Sequence, residues 1–150
     1  MKRHPALIPL SREHHQMLLV AQLLKRDAPP YKGLPTDPEG KVAYARRLWR
    51  DLIEDHLTKE EEVLFPMVEE NEALNALVSE LRQEHHTLRK QWQGVEKYPN
   101  NLEVSDTFGR MLEAHIRKEE RVFFQKMQAE LPEDVLVELG KKMGSDAPQS

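Results

Sequence analysis

The sequence has 150 residues, of which 39% are hydrophobic and 32% charged, with a formal net charge of −4. This length fits a single domain. The absence of cysteine excludes disulfides and thiolate metal sites. The small negative net charge does not indicate binding to nucleic acid or to a membrane surface. No stretch approaches the ~20 apolar residues of a membrane span, and prolines interrupt the apolar N-terminal stretch, so a cytoplasmic protein is expected.

Apolar residues recur at helical spacing in four long segments. The predicted helices span about residues 11–25, 37–64, 72–97 and 102–130. Ser11 is the expected N-cap of the first helix, and Pro66 is expected to kink or end the second. The proline-rich residues 27–38 form the longest predicted loop.

A short amphipathic segment, about 133–143, is expected to pack on the outside of these helices, and residues 144–150 are expected to be disordered. No alternating pattern typical of strands occurs. The predicted fold class is therefore all-α: an up-down antiparallel four-helix bundle with a short C-terminal helix. We expect residues 1–150 to form a single metal-binding domain with its core at about 7–128.

Two histidine-bearing signatures each occur twice, in alternating order along the chain. The first is Glu-His-His at 13–15 and 84–86, and the second is His-x-x-x-Glu at 56–60 and 115–119. Residues four apart lie on one helix face. Two similar helical hairpins around a pseudo-two-fold axis would explain this order, and such symmetry suits a site for two metal ions.

The apolar stripes decide which histidines face the core. His14 and His85 fall among apolar residues, whereas His15 and His86 share lines with polar residues. In the second helix the predicted inward stripe continues through His56, Glu60, Val63 and Met67. In the fourth helix it continues through His115, Glu119, Val122, Phe123 and either Lys126 or Met127.

Six side chains in the predicted core are therefore candidate metal ligands: His14, His56, Glu60, His85, His115 and Glu119. A buried carboxylate without a partner is unfavourable, and two close together raise each other's pKa. Cations resolve this conflict, and six ligands suit two ions bridged by the two carboxylates, with non-haem iron, manganese or zinc as candidates. Glu61 and Glu120, one residue further along, remain alternative ligands.

These motifs resemble the hemerythrin-like, cation-binding family. Its lone-histidine positions correspond to His14 and His85, and its His-x-x-x-Glu pairs to 56–60, followed by Leu64-Phe65-Pro66, and 115–119. The resemblance covers about residues 7–128. It implies a four-helix bundle around a non-haem, oxo- or carboxylate-bridged di-iron centre, with oxygen, nitric oxide, redox or iron handling as the associated roles.

The chain departs from the oxygen-carrying members at two places. A second histidine four residues after the third-helix histidine is replaced by Arg89, and their aspartate five residues after the last histidine corresponds to Glu120, with Glu119 at four. With one imidazole fewer, one iron would be less saturated. This departure favours a site that reacts with or senses its ligand over a stable oxygen carrier.

The expected function is binding or sensing of dioxygen, peroxide or nitric oxide at two iron ions, with zinc or manganese as substitutes. A small di-iron oxidase or peroxidase and an iron-handling protein are the alternatives, and a binding or sensing protein is favoured over an enzyme. Neither nucleic acid nor a membrane is an expected partner. The sequence leaves open a homodimer and a signalling partner.

Overall fold

The computed structural model describes residues 2–144, and within this range it contains five helices and no strand. The helices are α1 (Ile8–Leu24), α2 (38–68), α3 (Asn75–Lys97), α4 (102–130) and α5 (Glu133–Lys142). The prediction of an all-α fold is confirmed. Apart from Gly144, the segment expected to be disordered lies outside the described residues.

The starts of the first two helices show how local signals set helix boundaries. Asp37 caps α2, because its carboxylate accepts the backbone N–H of Gly40 at 2.9 Å. By contrast α1 begins at Ile8, before the predicted cap at Ser11. Pro9 lies in its first turn, where a missing N–H removes no helical hydrogen bond.

Helices α2 and α4 contain π-helical turns. Helix α2 has two π turns, Trp49–Ile53 and Glu60–Leu64, which separate the α-helical parts Pro38–Leu48, Glu54–Lys59 and Phe65–Val68. Helix α4 has one π turn, Glu119–Phe123, between the α-helical parts Leu102–Lys118 and Phe124–Glu130. Phe65 N–H, for example, bonds to the Glu60 carbonyl five residues back. Each such turn adds one residue and rotates the following side chains by about 100° relative to a regular α-helix.

This rotation corrects the predicted stripes beyond the two glutamates. The buried residues after the π turns are Leu64, Phe65 and Val68 in α2 and Phe123, Phe124 and Met127 in α4. Val63 and Met67, predicted to face inward, are only partly buried, and Val122 is 47% exposed. The prediction that Pro66 could end the helix is wrong, because α2 continues to Val68 with Pro66 in the first turn of its last α-helical part.

The core consists of two apolar clusters with the histidines and glutamates between them. The first cluster includes Met17, Leu57, Leu88 and Ile116; the second includes Leu10, Leu64, Leu81 and Phe123. Helices α1 and α3 pass from the second cluster to the first, whereas α2 and α4 pass from the first to the second. The candidate ligand of each helix therefore lies at the same level of the core.

Helix α5 adds Leu136 and Leu139 to the second cluster and packs against the π turn Glu60–Leu64. None of the helices between residues 2 and 144 combines the length and the apolar character needed to cross a lipid bilayer.

Gly109 marks a close approach of α4 to α1. A Cβ atom at Gly109 would lie 2.6 Å from the carbonyl oxygen of Ala21, which is too close for the two backbones to remain in place. We expect Gly109→Ala to lower the free energy of unfolding by roughly 1–3 kcal/mol, because overpacking forces a backbone shift. Denaturant unfolding of the metal-free protein measures this loss.

Gly94→Ala provides the matched control. Its Cβ would meet only the Val104 side chain, at 3.4 Å, and alanine is the better helix former by roughly 1 kcal/mol. We therefore expect Gly94→Ala to be neutral or stabilising. Equal destabilisation by both substitutions would show that the approach of α1 and α4 at Gly109 does not limit the packing.

Candidate metal centre

The six predicted ligands all lie in the layer between the two apolar clusters. None exposes more than 1% of its surface: His14, His56, Glu60, His85, His115 and Glu119. Their neighbours His15 and His86 are exposed, as the stripes predicted. The fold therefore brings together the residues that the sequence selected, one histidine from each of four helices and one glutamate from each of α2 and α4.

These residues form two groups that share both carboxylates. One group is His14, His56, Glu60 and Glu119, and the other is His85, His115, Glu60 and Glu119; in each, the ligand atoms lie within 4.8 Å of one another. We name these positions site 1 and site 2. Each could hold one metal ion with two imidazole nitrogens and two carboxylate oxygens.

Each carboxylate directs one oxygen to each site. Glu60 Oε2 lies 3.2 Å from His56 Nε2 of site 1, and Oε1 lies 3.0 Å from His85 Nε2 of site 2. Glu119 Oε1 lies 2.9 Å from His14 Nε2 of site 1, and Oε2 lies 3.6 Å from His115 Nε2 of site 2. Both carboxylates are therefore shared between the two sites.

Several of these buried atoms have no hydrogen bond in the described structure. They are Nε2 of His56, His85 and His115, both carboxylate oxygens of Glu60, and Oε2 of Glu119. The atoms approach one another at 3.0–3.6 Å without forming hydrogen bonds. Buried polar atoms without partners are costly, and cations between them would satisfy all of them, so the donor set fits a pair of metal ions.

The pKa shifts show how the protein compensates when protons take the place of cations. Burial lowers the pKa of His56, but the charge of Glu60 and the hydrogen bond to Glu13 outweigh it and raise the pKa to about 10. Burial likewise lowers the pKa of His85, but contacts with Glu60 and Glu61 raise it to about 9. In the metal-free site His56 and His85 therefore carry protons beside the carboxylates.

The pKa values of the two shared glutamates shift in opposite directions. Burial raises the pKa of Glu60, but the charge of His56 outweighs it and holds that pKa well below its usual range. Burial raises the pKa of Glu119, and the charge of Glu60 raises it further. Two carboxylates this close do not both ionise easily without positive charge between them.

Every ligand histidine also contacts an outer carboxylate through Nδ1. The pairs are His14–Glu120 at 2.6 Å, and His56–Glu13, His85–Glu61 and His115–Glu84 at 2.7 Å. A carboxylate at Nδ1 fixes the tautomer and leaves Nε2 free as the metal ligand. It also makes Nε2 more basic and therefore a stronger electron-pair donor to a metal. Four such pairs complete a typical environment for metal-bound histidine.

Each outer carboxylate is contacted in turn by a cation. The pairs are Lys59–Glu13 at 3.5 Å, Arg89–Glu61 at 2.5 Å, Arg3–Glu120 at 2.8 Å, and Lys118–Glu84. The outer negative charges are thereby balanced by the protein. Within residues 2–144 the two central carboxylates, Glu60 and Glu119, have no lysine or arginine partner; the charged groups that face them are histidines.

The sequence analysis did not predict the contacts of the outer glutamates with the histidines. Glu61 and Glu120 were retained there as alternative ligands, but here they contact the outer nitrogen of His85 and His14. Glu13 and Glu84 were treated only as part of the repeated signature. The available signal was that a glutamate precedes His14 and His85 and follows each bridging glutamate.

Arg89, which stands where oxygen carriers of the resembled family have another histidine, does not enter the centre. Its guanidinium donates to both oxygens of Glu54 at 2.8–3.2 Å and to Glu61 at 2.5 Å. Neither exposed His15 nor exposed His86 takes the place of the missing imidazole. Sites 1 and 2 therefore have matching protein ligands, two histidines each.

Comparison with known proteins gives one family. The family model described as the hemerythrin HHE cation binding domain matches residues 6–127, close to the 7–128 that the motifs indicated. No curated protein and no solved structure matches the chain. The matched range contains all six candidate ligands, the whole of α1, α2 and α3, and α4 up to residue 127. The chain belongs to the hemerythrin HHE cation-binding domain family.

Proposed function

We propose that this chain is a non-haem di-iron protein that binds or senses dioxygen, peroxide or nitric oxide. In this proposal sites 1 and 2 hold one iron each, Glu60 and Glu119 bridge them, and the four histidines complete the ligand set. The surrounding scaffold is an up-down antiparallel four-helix bundle, which the alternating passage of α1 to α4 between the two apolar clusters supports.

The observation that carries the proposal is the division of both carboxylates between the two sites. A structural zinc site needs four ligands around one ion, whereas here two four-ligand groups share two members. Histidine and carboxylate ligands without thiolate suit iron, and four protein ligands leave coordination positions open. Bound iron supplies the redox chemistry with which such centres bind small oxygen or nitrogen ligands.

The chain itself positions the ligands and excludes water. The outer carboxylates hold each imidazole with Nε2 toward the centre, and the two apolar clusters close the layer from both sides. Zinc or manganese could occupy the same donors. Iron is preferred in the proposal because of the family and the bridged pair of sites.

A binding or sensing role is favoured by the lack of a spare acid or base. Among the described residues, the buried polar side chains are the six candidate ligands and Ser105. An oxidase or peroxidase needs groups that transfer protons to its substrate. The half-buried glutamates nearby are already paired with ligand histidines and cations, as described for the outer carboxylates.

Iron reconstitution under nitrogen tests the proposal. We expect about two iron ions per chain, as in other carboxylate-bridged di-iron bundles, and a visible absorption change when air or nitric oxide is admitted. Metal analysis and an absorption spectrum before and after admission measure both. One ion per chain, or none, would exclude the bridged pair of sites.

The same sample separates the alternatives. A change that reverses under vacuum indicates a carrier or sensor of the ligand. Irreversible oxidation followed by multiple turnovers of peroxide with a reductant would favour the oxidase or peroxidase. Two tightly bound ions that respond to none of these ligands would favour iron handling.

A further inference from the structure

The N-terminal residues 2–7, which we call the N-terminal strap, are fastened across α4. The backbone N–H of His4 donates to the Gln128 side chain at 3.1 Å, and the same side chain donates to the Lys2 carbonyl at 2.7 Å. Leu7 is fully buried in the second apolar cluster. These contacts hold the strap in one position although it precedes the first helix.

The strap places Arg3 on the outer carboxylate of site 1. Arg3 Nη2 donates to Glu120 Oε1 at 2.8 Å and to the Glu120 carbonyl at 3.0 Å. Its guanidinium also stacks over the Phe124 ring at 5.3 Å from the centroid. With a third hydrogen bond to Gln128 Oε1 at 3.4 Å, the guanidinium is fixed by three hydrogen bonds and an aromatic face, which a flexible surface cation would lack.

Glu120 transmits this contact to the centre. The oxygen that Arg3 leaves free, Oε2, lies 2.6 Å from His14 Nδ1. His14 Nε2 lies in site 1, 2.9 Å from bridging Glu119. A continuous set of contacts therefore runs from the strap through Glu120 and His14 to site 1.

The corresponding contact of site 2 comes from a helix. Arg89, one turn after His85 in α3, contacts Glu61, which contacts His85. One turn after His14 in α1 the residue is Leu18, which carries no charge. The first half of the molecule therefore lacks a helical cation at this place, and the strap supplies it.

We propose that Arg3 is a positioning residue for His14, and that retention of the ion in site 1 depends on the N-terminal strap while retention in site 2 does not. The proposal rests on the proposed function only in requiring that both sites bind metal. It predicts that sites 1 and 2, although they have matching ligands, release their ions at different rates once Arg3 is substituted.

The test compares iron release from Arg3→Gln, Arg3→Lys and Arg12→Gln. Arg12 is exposed on α1 and forms no ion pair within residues 2–144. Iron(II)-loaded proteins are mixed with an iron(II) chelator under nitrogen, and release is followed by absorbance. We expect one of the two ions to leave Arg3→Gln about tenfold faster, the lower end of the usual range for residues that orient metal ligands. Arg3→Lys should be intermediate and Arg12→Gln unchanged.

Single-site backgrounds assign the faster ion. In His85→Ala, where the remaining ion would be in site 1, adding Arg3→Gln should still accelerate release; in His14→Ala it should have no effect. Independently, proton NMR of the metal-free protein should show faster exchange of the His14 Nδ1 proton in Arg3→Gln, with the His85 signal unchanged. This second measurement serves if a background retains no ion.

Three results would overturn the proposal. Equal acceleration of both ions, together with a lower melting temperature of metal-free Arg3→Gln, would mean that the strap only stabilises the fold. Unchanged release of both ions would mean that Arg3 has no effect on His14. A wild-type protein that loads fewer than two ions would instead refute the proposed function, and the positioning role with it.

Discussion

Glu60→Gln is expected to remove both metal ions, although it changes a single side chain. Glu60 offers one oxygen to each site, so its loss affects both sites at once. Glutamine has nearly the same volume but no charge and only one oxygen, and it leaves the centre with Glu119 alone. We expect the affinity of each site to fall by at least about 100-fold, beyond the range seen for residues that only orient ligands. Metal analysis after iron loading measures it.

Single-site changes and surface changes give the comparison. His85→Ala belongs to site 2 only and should leave close to one ion per chain. Glu62→Gln, on the exposed face of the same helix, and His86→Ala, exposed beside His85, should retain both. Loss of one ion in Glu60→Gln, equal to the loss in His85→Ala, would mean that Glu60 does not bridge the sites.

The thermal stability of Glu60→Gln adds a second measurement. A ligand at 100 times its dissociation constant stabilises the folded state by about 2.7 kcal/mol. The wild-type melting temperature should therefore rise on addition of iron, and this rise should disappear in Glu60→Gln. The rise is measured against the metal-free form of the same variant, because Glu60→Gln also removes the charge that faces His56.

The candidate ligands could be predicted because helical geometry is regular where they lie. His56 lies in the α-helical part Glu54–Lys59 and Glu60 directly follows it, with its N–H still bonded to the His56 carbonyl, so the 3.6-residue period places both on the inner face. The choice of His14 over His15 followed from the same period. Burial of the selected residues is a direct consequence of the apolar residues above and below them.

The stripes failed immediately after the bridging glutamates, because a π turn begins at each of them. The period then shifts by one residue, and Val122 becomes exposed while Phe124 becomes buried. Sequence periodicity cannot reveal such a turn, because the extra residue only makes the spacing of the apolar residues irregular. The π turns lie at the centre itself, where such turns frequently occur in helices.

The contacts of the outer glutamates with arginine could not be predicted from the sequence for another reason. Arg3 contacts Glu120, which is far away in the sequence. Nothing in the residues around Arg3 distinguishes it from the many arginines on the surface. Arg89 was noticed only as a missing histidine, and its pairing with Glu54 and Glu61 depends on how α2 packs beside α3. Side-chain contacts between helices require the fold before they can be assigned.

Metal loading is expected to release protons and to strengthen steeply with pH. At pH 7 the metal-free protein carries protons on His56, whose pKa is about 10, and on His85, whose pKa is about 9. One of these residues belongs to each site, and a metal ion must displace the Nε2 proton to bind. The apparent affinity of each site should therefore rise by about tenfold per pH unit between pH 7 and 9. Competition with a chelator of known pH dependence measures it.

The stability of the metal-free protein should change with pH in the opposite direction. Histidines whose pKa is higher in the folded state than the usual 6.5 stabilise the fold fully below pH 6.5, and they lose that contribution as pH rises through about 9 and 10. Metal-free protein should thus unfold more easily at pH 9 than at pH 7, while iron-loaded protein should not. A metal affinity independent of pH would mean that these imidazoles are neutral before metal binds. Protons and metal ions then act as alternative cations for the same two carboxylates, which explains how a centre with two buried glutamates can fold before it is loaded.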